Sequence, residues 1–372
     1  MVSKACIVGP YQRKLEQLAA LPGVDLTVVV PPYWREAGRT IQLERRFTSG
    51  YSLVVQPMAL NGHFHLHFYP WIAKEFRRVK PDLCHIDEEP YNLATYQALR
   101  LAERWGARTL FFTWQNLARR YPPPWCWVES RVLGRANAAI AGNQEAAEVL
   151  RRKGYRGPVA VIPQFGVDPN IYKPLGDVRE KTSSRGFRIG FAGRLVEQKG
   201  VHLLLSAVSR LEGDWSLSVV GEGPTRSALI ALADELGVSP RVQFRHPIPP
   251  GEMPQYLNEL DVLVLPSVAR PNWKEQFGRV LVEAMACETP VVGSESGEIP
   301  HVIGDAGLTF PEGEVDELAR RLSLLQTDDG LRRRLAGQGR ARVLEHYTQA
   351  RIAAETYRVY QETLEDRWGR RG

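Results

Sequence analysis

Two cations lie where the sequence predicts a loop between a strand and a helix. In FAGRLVEQKG (191–200), the predicted strand ends at Gly193. Arg194 and Lys199 follow it, and a helix is predicted from about Gly200. Unpaired amides at a helix N-terminus and the helix dipole favour anions, so this loop could hold a phosphate. The alternative is a surface turn with two solvated cations, because neither GxGxxG nor GxxxxGK[ST] spacing occurs.

Two carboxylates follow later in the chain, at Glu275 and Glu283. Eight residues are a little over two helical turns, so both could face one ligand if a helix begins near Gly278. Backbone amides at that helix start (278–281) could hold a phosphate. Glu283 interrupts an apolar run (280–285), where a carboxylate requires a partner. A pair of solvated glutamates is the alternative, and it fits this apolar setting less well.

A glycine-rich turn, VGEGPTR (220–226), follows another predicted strand. Gly221 lets the backbone approach a ligand closely. A plain strand-to-helix turn explains the same residues equally well.

Short apolar runs alternate with helix-like stretches along the whole chain. This alternation predicts parallel sheets with helices on both faces, and two such sets predict two doubly wound α/β domains. In an open α/β sheet, ligands bind at the carboxyl ends of the strands. The predicted strands are 5–9, 25–30, 52–57, 82–87, 108–113, 138–142, 159–163, 187–193, 215–221, 241–246, 261–266, 290–293 and 307–310.

The length of 372 residues also predicts two domains. A loop with two prolines and a polar tail (166–186) is the predicted linker. The predicted domains are 1–175 and 176–347. A long amphipathic helix is predicted over 348–368, with Ile352, Tyr357, Tyr360 and Leu364 near one face.

The composition is that of a globular chain, with 44% hydrophobic and 24% charged residues. It excludes a disordered, collagen-like or disulfide-stapled protein, and no apolar run is long enough for a membrane-spanning helix. The four cysteines are widely spaced, which favours a reducing cytosol. Residues 1–175 contain 23 Lys and Arg against 14 Asp and Glu, a net charge of +9, whereas the remainder is acidic. Such a basic half indicates phosphates, nucleic acid or an anionic membrane surface as partner, or ordinary solubilising charge.

The ordered motifs resemble the retaining glycosyltransferases of family 4. FAGRL followed by Lys-Gly, then GEGP, then Glu275 and Glu283 ahead of the strand PVVGS match that family over about 187–310. The resemblance extends to the linker and the final helix, and over 1–165 it depends mainly on strand order. The strings DEEPYNLATYQ, FTWQN and IPQFGVDP are similar to those of bacterial members of unassigned acceptor. The resemblance implies the GT-B fold, two Rossmann-like domains facing a central cleft.

The resemblance also implies roles for individual residues. Arg194 and Lys199 would neutralise the diphosphate of a nucleotide sugar, Glu283 would bind the ribose, and Glu275 would bind the sugar. The first domain, with the final helix (348–372), would hold the acceptor, and the second would hold the donor. Further residues assigned to the donor are Gly9, Gly193, Gly221, Phe277, Gly278, Arg279, Val280 and, near the base, Ile248.

The implied reaction is hexosyl transfer from a UDP-, GDP- or ADP-sugar to a hydroxyl acceptor with retention at the anomeric carbon. The leaving phosphate itself would deprotonate the incoming hydroxyl on the same face. Neither a cofactor nor a metal is expected, because fixed cations can stabilise the leaving diphosphate. The nucleophile and acid pair of glycosidases is not expected either.

The sequence departs from the family pattern at two places. Gly9, Pro10 and Tyr11 stand where many members have a Gly-Gly turn near the donor phosphates. Many members also have a histidine after the fourth strand, where this chain has Asp87 and Glu88. The candidates on the acceptor side are Asp87, Glu88, Trp114, Gln115 and Asn116.

Two further patterns leave alternatives open. His63, His65 and His67 alternate and could bind a metal, but no carboxylate or cysteine follows at ligand spacing. The stretch YPPPWCW (121–127), with Trp71 and nearby cations, could either associate peripherally with an anionic membrane or line the acceptor groove.

Two rival functions remain at this point. A sugar-nucleotide epimerase shares the two-domain frame, but the FAGRL motif and the glutamate spacing argue against it. A nucleic-acid-binding protein would use the basic half, but no zinc module or RNP-like string supports it.

Overall fold

The computed structural model describes residues 1–36, 39–176 and 186–365, which form two compact units. The first unit contains Met1–Gly166 and the chain from Gln349 onward, and the second is Val167–Thr348.

The predicted domain boundary after residue 175 falls inside the second unit. The Val167 amide donates to the Tyr347 carbonyl at 2.9 Å, and the Leu175 amide donates to the Asn258 side chain at 2.8 Å. These bonds attach the start of the predicted linker to the second unit, so its boundary comes earlier. Residues 177–185 of that linker lie outside the described residues.

A parallel sheet lies at the centre of the first unit. Strand β1 pairs with β4, and β5 to β8 pair in sequence order. Val2 bridges both Val29 and Ile86 in parallel and joins the two sets. Most of these strands are apolar without alternation, as strands buried on both faces are. The strands of this unit are β1 (Thr27–Val30), β2 (Tyr33–Glu36), β3 (Arg39–Gln42), β4 (Ser52–Val55), β5 (Leu83–Ile86), β6 (Arg108–Thr113), β7 (Ala138–Ala141) and β8 (Val159–Val161).

Two features of this unit differ from the prediction. The strand predicted over 5–9 is wrong, because Ala5–Ile7 and Gly9–Gln12 are 3-10 helices. Val2 takes that place in the sheet: its amide donates to the His85 carbonyl at 2.9 Å. The antiparallel hairpin of β2 and β3 was not predicted, because β3 is exposed throughout and has no apolar pattern.

The predicted C-terminal helix is confirmed, and it begins at Gln349 and ends at Leu364. It belongs to the first unit and packs against the helix Arg13–Ala19. Ile352 and Tyr360 are buried as predicted, whereas Leu364 is 46% exposed. The helices of the first unit are α1 (Arg13–Ala19), α2 (Ile72–Val79), α3 (Leu93–Arg104), α4 (Trp125–Arg135), α5 (Gln144–Arg152) and the C-terminal helix.

The second unit has a six-stranded parallel sheet in the order β11-β10-β9-β12-β13-β14. From β9 the chain moves outward to β10 and β11, and it then returns to β12 on the other side. This reversal is the topological switch point at which doubly wound sheets bind ligands. The strands are β9 (Phe187–Ala192), β10 (Trp215–Val220), β11 (Val242–Arg245), β12 (Val262–Leu265), β13 (Val291–Ser294) and β14 (Leu308–Phe310).

Helices connect these strands, as the sequence predicts for a doubly wound domain. The short segments Glu197–Lys199 and Ser239–Arg241 are 3-10 helices. The α-helices are α6 (Val201–Val208), α7 (Arg226–Glu235), α8 (Met253–Asn258), α9 (Arg279–Ala286), α10 (Ile299–Ile303), α11 (Val315–Thr327) and α12 (Asp329–His346), and the C-terminal helix is α13.

Within residues 1–36, 39–176 and 186–365, every helix is too short or too polar to cross a lipid bilayer. All four cysteines are free thiols, and three of them are buried.

Candidate donor site and acceptor-side loops

The loop after β9 is fixed by glycines. Gly200 has φ +66°, and a Cβ there would lie 1.9 Å from the Pro266 carbonyl oxygen. Only glycine therefore allows this turn. The helix predicted from about Gly200 begins at Val201, so Lys199 lies at the end of the loop, immediately before that helix.

Lys199 meets Glu275 directly. Its Nζ lies 2.5 Å from Oε2 of Glu275, and the Ser267 hydroxyl donates to the same oxygen at 2.9 Å. The ammonium also lies 5.2 Å from the ring centre of Trp273. Glu275 is only 8% exposed, so the ion pair is largely shielded from water. The structure thus brings one predicted cation and one predicted carboxylate to a single point.

The backbone of Glu275 is held from the other side by the loop after β13. The Glu298 amide donates to the Glu275 carbonyl at 3.1 Å. Gly297 has φ +53°, and a Cβ there would lie 2.2 Å from the same oxygen. The loops after β12 and β13 thus position the carboxylate and the backbone of Glu275.

Helix α9 begins four residues after Glu275, the carboxylate of this ion pair. Gly278 adopts φ +73° at the N-cap of α9, which runs from Arg279 and has no side-chain cap. The amides of Arg279 and Val280 lie at the positive end of the helix dipole, where an anion is favoured. Phe277 is buried just before this start. The helix start predicted near Gly278 is confirmed.

Glu283 has the partner that its apolar surroundings require. Its Oε1 lies 2.8 Å from Nε of Arg279, and the Tyr172 hydroxyl donates to its carboxylate. Burial raises the pKa of Glu283, while Arg279 and Tyr172 oppose that rise. The carboxylate is thus held one turn into the same helix. Tyr172 belongs to the segment predicted as a linker, where no sequence pattern indicates a site residue.

The glycine turn after β9 and the glycine turn after β10 are in close backbone contact. Gly221 has φ +150°, and a Cβ there would lie 1.9 Å from the Gly193 carbonyl oxygen. The close approach predicted at Gly221 is thus made by protein backbone. Arg194 extends from this turn and is exposed.

The predicted base loop follows β11. Ile248 is half-buried there, and Nδ1 of His246 lies 2.7 Å from the Glu222 carboxylate. Glu222 belongs to the glycine-rich turn after β10, so this contact connects two loops at the same edge of the sheet.

In the first unit, Gly9 contacts the segment around Glu44 and Arg46, in which no sequence motif indicates a site. Its amide donates to Oε2 of Glu44 at 3.2 Å, and Arg46 lies 3.2 Å from the same carboxylate. The buried side chain of Gln12 holds this segment, since it donates to the Glu44 carbonyl at 2.6 Å and accepts from the Arg46 amide at 3.0 Å. The amide predicted to face donor phosphates therefore binds a carboxylate of the protein.

The two acidic residues after β5 that were predicted to face the acceptor both bind other side chains of the protein. Asp87 accepts from the Ser3 hydroxyl at 2.6 Å and from Gln164 at 3.0 Å. Glu88 forms an ion pair with Lys4 and lies 3.5 Å from His67. Burial alone would raise the pKa of Glu88, but these two groups outweigh it and lower the pKa to about 2.

Glu89, the next residue, was not among the predicted candidates. Its two oxygens accept from the Thr113 hydroxyl at 2.6 Å and from the Trp114 amide at 2.8 Å. Burial raises the pKa of Glu89 to about 7. Glu89 therefore connects the loop after β5 to the loop after β6.

The predicted acceptor-side residues Trp114, Gln115 and Asn116 follow β6 directly. The Trp114 indole donates to Gln164 at 2.9 Å, and Gln115 accepts from Lys153 at 2.9 Å. Gln115 and Asn116 are buried. The loops after β5 and β6 thus form one hydrogen-bonded edge of the first sheet.

The histidine alternation does not build a metal site among the described residues, where no group of three potential ligands occurs. His67 is buried beside Glu88, whereas the ring of His65 lies among Phe64, Tyr91, Tyr121 and Trp125.

Two family models match the chain, one described as Glycosyltransferase Family 4 over residues 13–170 and one described as Glycosyl transferases group 1 over residues 178–342. A D-inositol 3-phosphate glycosyltransferase of Stackebrandtia nassauensis is 32% identical over 313 residues, which cover 74% of this chain and 68% of that protein. The chain belongs to glycosyltransferase family 4. The resemblance predicted from its motifs is confirmed.

Other similarities agree with this membership. A D-inositol 3-phosphate glycosyltransferase of Streptomyces bingchenggensis is 33% identical over 261 residues, and the match covers 63% of this chain and 55% of that protein. The chain thus spans little more than half the length of this relative. The Anabaena protein HepE, solved in complex with UDP, has a TM-score of 0.74 at 20% identity, covering 97% of this chain and 98% of that one. This likeness concerns the fold, and the predicted GT-B fold is confirmed.

Proposed function

We propose that this family 4 chain is a retaining glycosyltransferase that moves a sugar from a nucleoside-diphosphate sugar to a hydroxyl acceptor. The observation that carries the proposal is the shielded pair of Lys199 and Glu275. Glu275 lies four residues before the start of α9, which has no side-chain cap, and the same helix carries Glu283. Cations and helix amides for a diphosphate, and carboxylates for hydroxyls, are the groups that such a donor requires.

In the proposed reaction, the bond between the sugar and the diphosphate breaks. Negative charge grows on the leaving oxygen and positive charge grows on the ring carbon. Lys199, Arg194 and the amides at the start of α9 stabilise the leaving diphosphate. Glu275 accepts hydrogen bonds from sugar hydroxyls, and Glu283 accepts them from the ribose. The acceptor's hydroxyl oxygen bonds to the anomeric carbon on the face from which the phosphate departs, and the leaving phosphate takes the hydroxyl proton, so configuration is retained.

We also propose that transfer requires neither a metal nor a cofactor. The support is Lys199, which Glu275 holds in place, together with Arg194 on the same loop and the start of α9. In the proposal these groups supply the positive charge that a divalent ion would otherwise supply. Chelation with EDTA is expected to leave the rate of transfer unchanged. A loss of activity that Mg²⁺ restores would contradict this part of the proposal.

The proposed acceptor is anionic or lipid-linked and binds to the first unit. Two observations support this: residues 1–175 carry a net charge of +9, and several relatives are named D-inositol 3-phosphate glycosyltransferases. Asp87, Glu88, Trp114, Gln115 and Asn116 remain the proposed acceptor-side residues, with Glu89 added. The free thiols support a cytoplasmic location.

The donor is tested by the thermal stability of the full chain with UDP, GDP, ADP and their sugars. A specific ligand at 100 times its Kd adds about 2.7 kcal/mol to the free energy of unfolding. Absence of a shift with every nucleotide would contradict donor binding. Product formed from the nucleotide sugar without acceptor would favour an epimerase. Binding to random oligonucleotides that persists at moderate salt would favour a nucleic-acid-binding protein.

The roles of the ion pair are tested by Lys199→Ala and Glu275→Gln. Each variant is expected to lower kcat by about 10²- to 10³-fold, as loss of one transition-state contact does. Arg320→Ala, which removes an exposed cation on α11, is the control and is expected to keep full activity. Full activity in both site variants would overturn the assignment. The melting temperature of each variant distinguishes lost chemistry from lost folding.

A further inference from the structure

Three neighbouring helices of the first unit carry exposed aromatic and basic side chains. Trp71, directly before α2, is 55% exposed, and Trp127 on α4 is 47% exposed. Tryptophan is highly buried on average in soluble proteins, so two such rings require an explanation. The outward-facing residues of this group are called the α2–α4 surface here and are Trp71, Lys74, Arg77, Lys80, Trp127 and Arg131.

Helix α3 brings the two tryptophans to the same region. Its Gln97 side chain accepts from the Tyr69 amide at 3.0 Å and donates to the Tyr69 carbonyl at 2.9 Å. This fixes the segment that leads into Trp71. The neighbouring residue on α3, Tyr96, has its ring centre 5.4 Å from that of Trp127. The segment that leads into Trp71 and the ring of Trp127 therefore contact adjacent residues of one helix.

More apolar surface adjoins the start of α3. The Leu93 amide donates to the His65 carbonyl at 2.9 Å, which places the 63–66 turn at this helix end. Phe64 is 43% exposed and Leu66 is 38% exposed. Two further apolar side chains are thus exposed near the start of α3.

Trp71 and Trp127 each have a cation beside the ring. The Lys74 ammonium lies 5.0 Å from the ring centre of Trp71, and the Arg131 guanidinium lies 5.0 Å from that of Trp127. An aromatic ring seats at the boundary between headgroups and acyl chains, and a long basic side chain reaches up to the phosphates. A tryptophan ring with a cation beside it therefore suits a bilayer surface: the ring fits the acyl boundary and the cation reaches the lipid phosphates.

The charge of these helices is strongly positive. Residues 71–80, 93–104 and 125–135 carry eight Lys and Arg against three Asp and Glu. Of the three acids, Glu129 is buried and lies 2.5 Å from Lys153, whereas Glu75 and Glu103 pair with arginines of the same helices. Much of the basic excess of the first unit is therefore concentrated on this face.

We propose that the α2–α4 surface docks on an anionic lipid bilayer, with Trp71 and Trp127 at the acyl boundary and Lys74, Arg77 and Arg131 on lipid phosphates. This deepens the proposed lipid-linked acceptor by assigning the surface that contacts the lipid. It depends only on this surface and is independent of donor chemistry. Its failure and the failure of the proposed transfer reaction are therefore distinguishable.

The experiment is sedimentation of the full chain with vesicles of phosphatidylcholine alone and of phosphatidylcholine mixed with phosphatidylglycerol. Binding is expected only to the anionic vesicles, and it is expected to weaken with salt as charges are screened. Equal recovery in both supernatants would overturn the proposal. Tighter binding to a random oligonucleotide than to anionic vesicles at the same salt would overturn it in favour of nucleic acid.

Two variants test the surface itself. Lys74→Glu with Arg131→Glu is expected to lower the partition constant by more than tenfold, since each lost cation near the surface changes it about fivefold. Trp71→Ser with Trp127→Ser is expected to lower it on anionic vesicles by a similar factor. Retained binding in both double variants would assign the interaction elsewhere and overturn the proposal.

The matched control is Arg320→Glu with Arg333→Glu, which makes the same change in net charge on exposed arginines of the second unit. It is expected to sediment like the unchanged chain. Equal loss in this control would show a non-specific charge effect and overturn the proposal. Thermal stabilisation by the nucleoside diphosphate that the unchanged chain binds is expected in every variant and confirms that each one is folded.

Discussion

Glu88 and Glu89 are neighbours in the sequence, yet their surroundings shift their pKa values in opposite directions. Lys4 and His67 overcome the effect of burial at Glu88 and lower its pKa to about 2. At Glu89 no cation makes a direct contact in the described structure, and burial raises the pKa to about 7. Glu89 therefore changes charge near neutral pH, at the edge of the sheet proposed to face the acceptor.

This contrast predicts opposite dependences of stability on pH. Glu89 holds a proton in the folded state between its unfolded pKa, about 4.3, and its folded pKa near 7. Its contribution is therefore full at low pH and is lost as the pH rises through this window, by up to about 4 kcal/mol. Glu88 acts in the reverse direction: its contribution is present above about pH 4 and is lost as the pH falls toward 2.

Urea unfolding of the full chain at pH 5, 6 and 7 measures the Glu89 effect. The difference in the free energy of unfolding between the unchanged chain and Glu89→Gln is expected to shrink or reverse as the pH rises. The control is Glu145→Gln, on the first turn of α5. A difference between the unchanged chain and Glu89→Gln that stays constant from pH 5 to 7 would contradict a raised pKa at Glu89.

Residue types and their spacing along the chain were enough to predict the charged candidate residues of the donor site. Lys199, Glu275 and Glu283 were predicted because a cation on a loop and a carboxylate in an apolar run are unusual. Ser267 and Tyr172, which hold these carboxylates, lie in loops without any pattern. Their contribution depends on tertiary packing, so spacing along the chain could not predict it.

At the scale of elements, glycines determine which backbone conformations the loops of the site can adopt. Gly200 and Gly237 both adopt positive φ in the second unit, at +66° and +69°. A Cβ at Gly200 would lie 1.9 Å from the Pro266 carbonyl oxygen, whereas a Cβ at Gly237 would meet nothing within 4 Å. Substituting Gly200 and Gly237 separately therefore distinguishes the effect of backbone conformation from the effect of a steric clash.

Gly237→Ala is expected to lower the free energy of unfolding by roughly 1–2 kcal/mol, the usual effect of a left-handed alanine. Gly200→Ala is expected to lower it by more than about 3 kcal/mol, because the Pro266 backbone must also move. The shift would displace Lys199 and lower transfer activity, which Gly237→Ala would leave unchanged. Chemical unfolding and kcat measure the two effects. Equal losses of stability in the two variants would contradict the proposed clash.

Strands buried on both faces were predictable because their apolar runs are long and bounded by turns. Strands β5 to β14 all fall within predicted runs except β13, which extends one residue beyond its run, to Ser294. The run 5–9 is just as apolar but forms 3-10 turns, since Met1–Ser3 already fills the sheet position beside Val29 and Ile86. Competition between two adjacent segments for one place in a sheet cannot be settled from apolar patterning alone.

At the scale of the whole molecule, the chain enters the first unit, forms the second, and ends in the first. Helix α13 supplies Ile352, Val359 and Tyr360 to the core of the first unit. The Tyr360 hydroxyl also lies 2.6 Å from Nδ1 of the buried His85. The first unit is therefore incomplete until the last helix has been synthesised, whereas Val167–Thr348 contains all the strands of its own sheet.

This arrangement predicts that a core substitution in α13 acts on the first unit only. Ile352 is fully buried, and Ile352→Ala is expected to destabilise that unit by roughly 2–5 kcal/mol. Leu364→Ala, at a 46% exposed position of the same helix, is the control and is expected to have little effect.

Nucleoside diphosphate affinity is expected to stay within about twofold in both variants, because the residues proposed to bind the donor's diphosphate and ribose belong to the second unit. Calorimetry with and without the nucleotide measures both quantities: Ile352→Ala should lower a transition that the ligand does not shift. If Ile352→Ala instead weakens nucleotide binding as strongly as it lowers stability, then donor binding depends on the first core, and the assignment of the donor to the second unit is wrong.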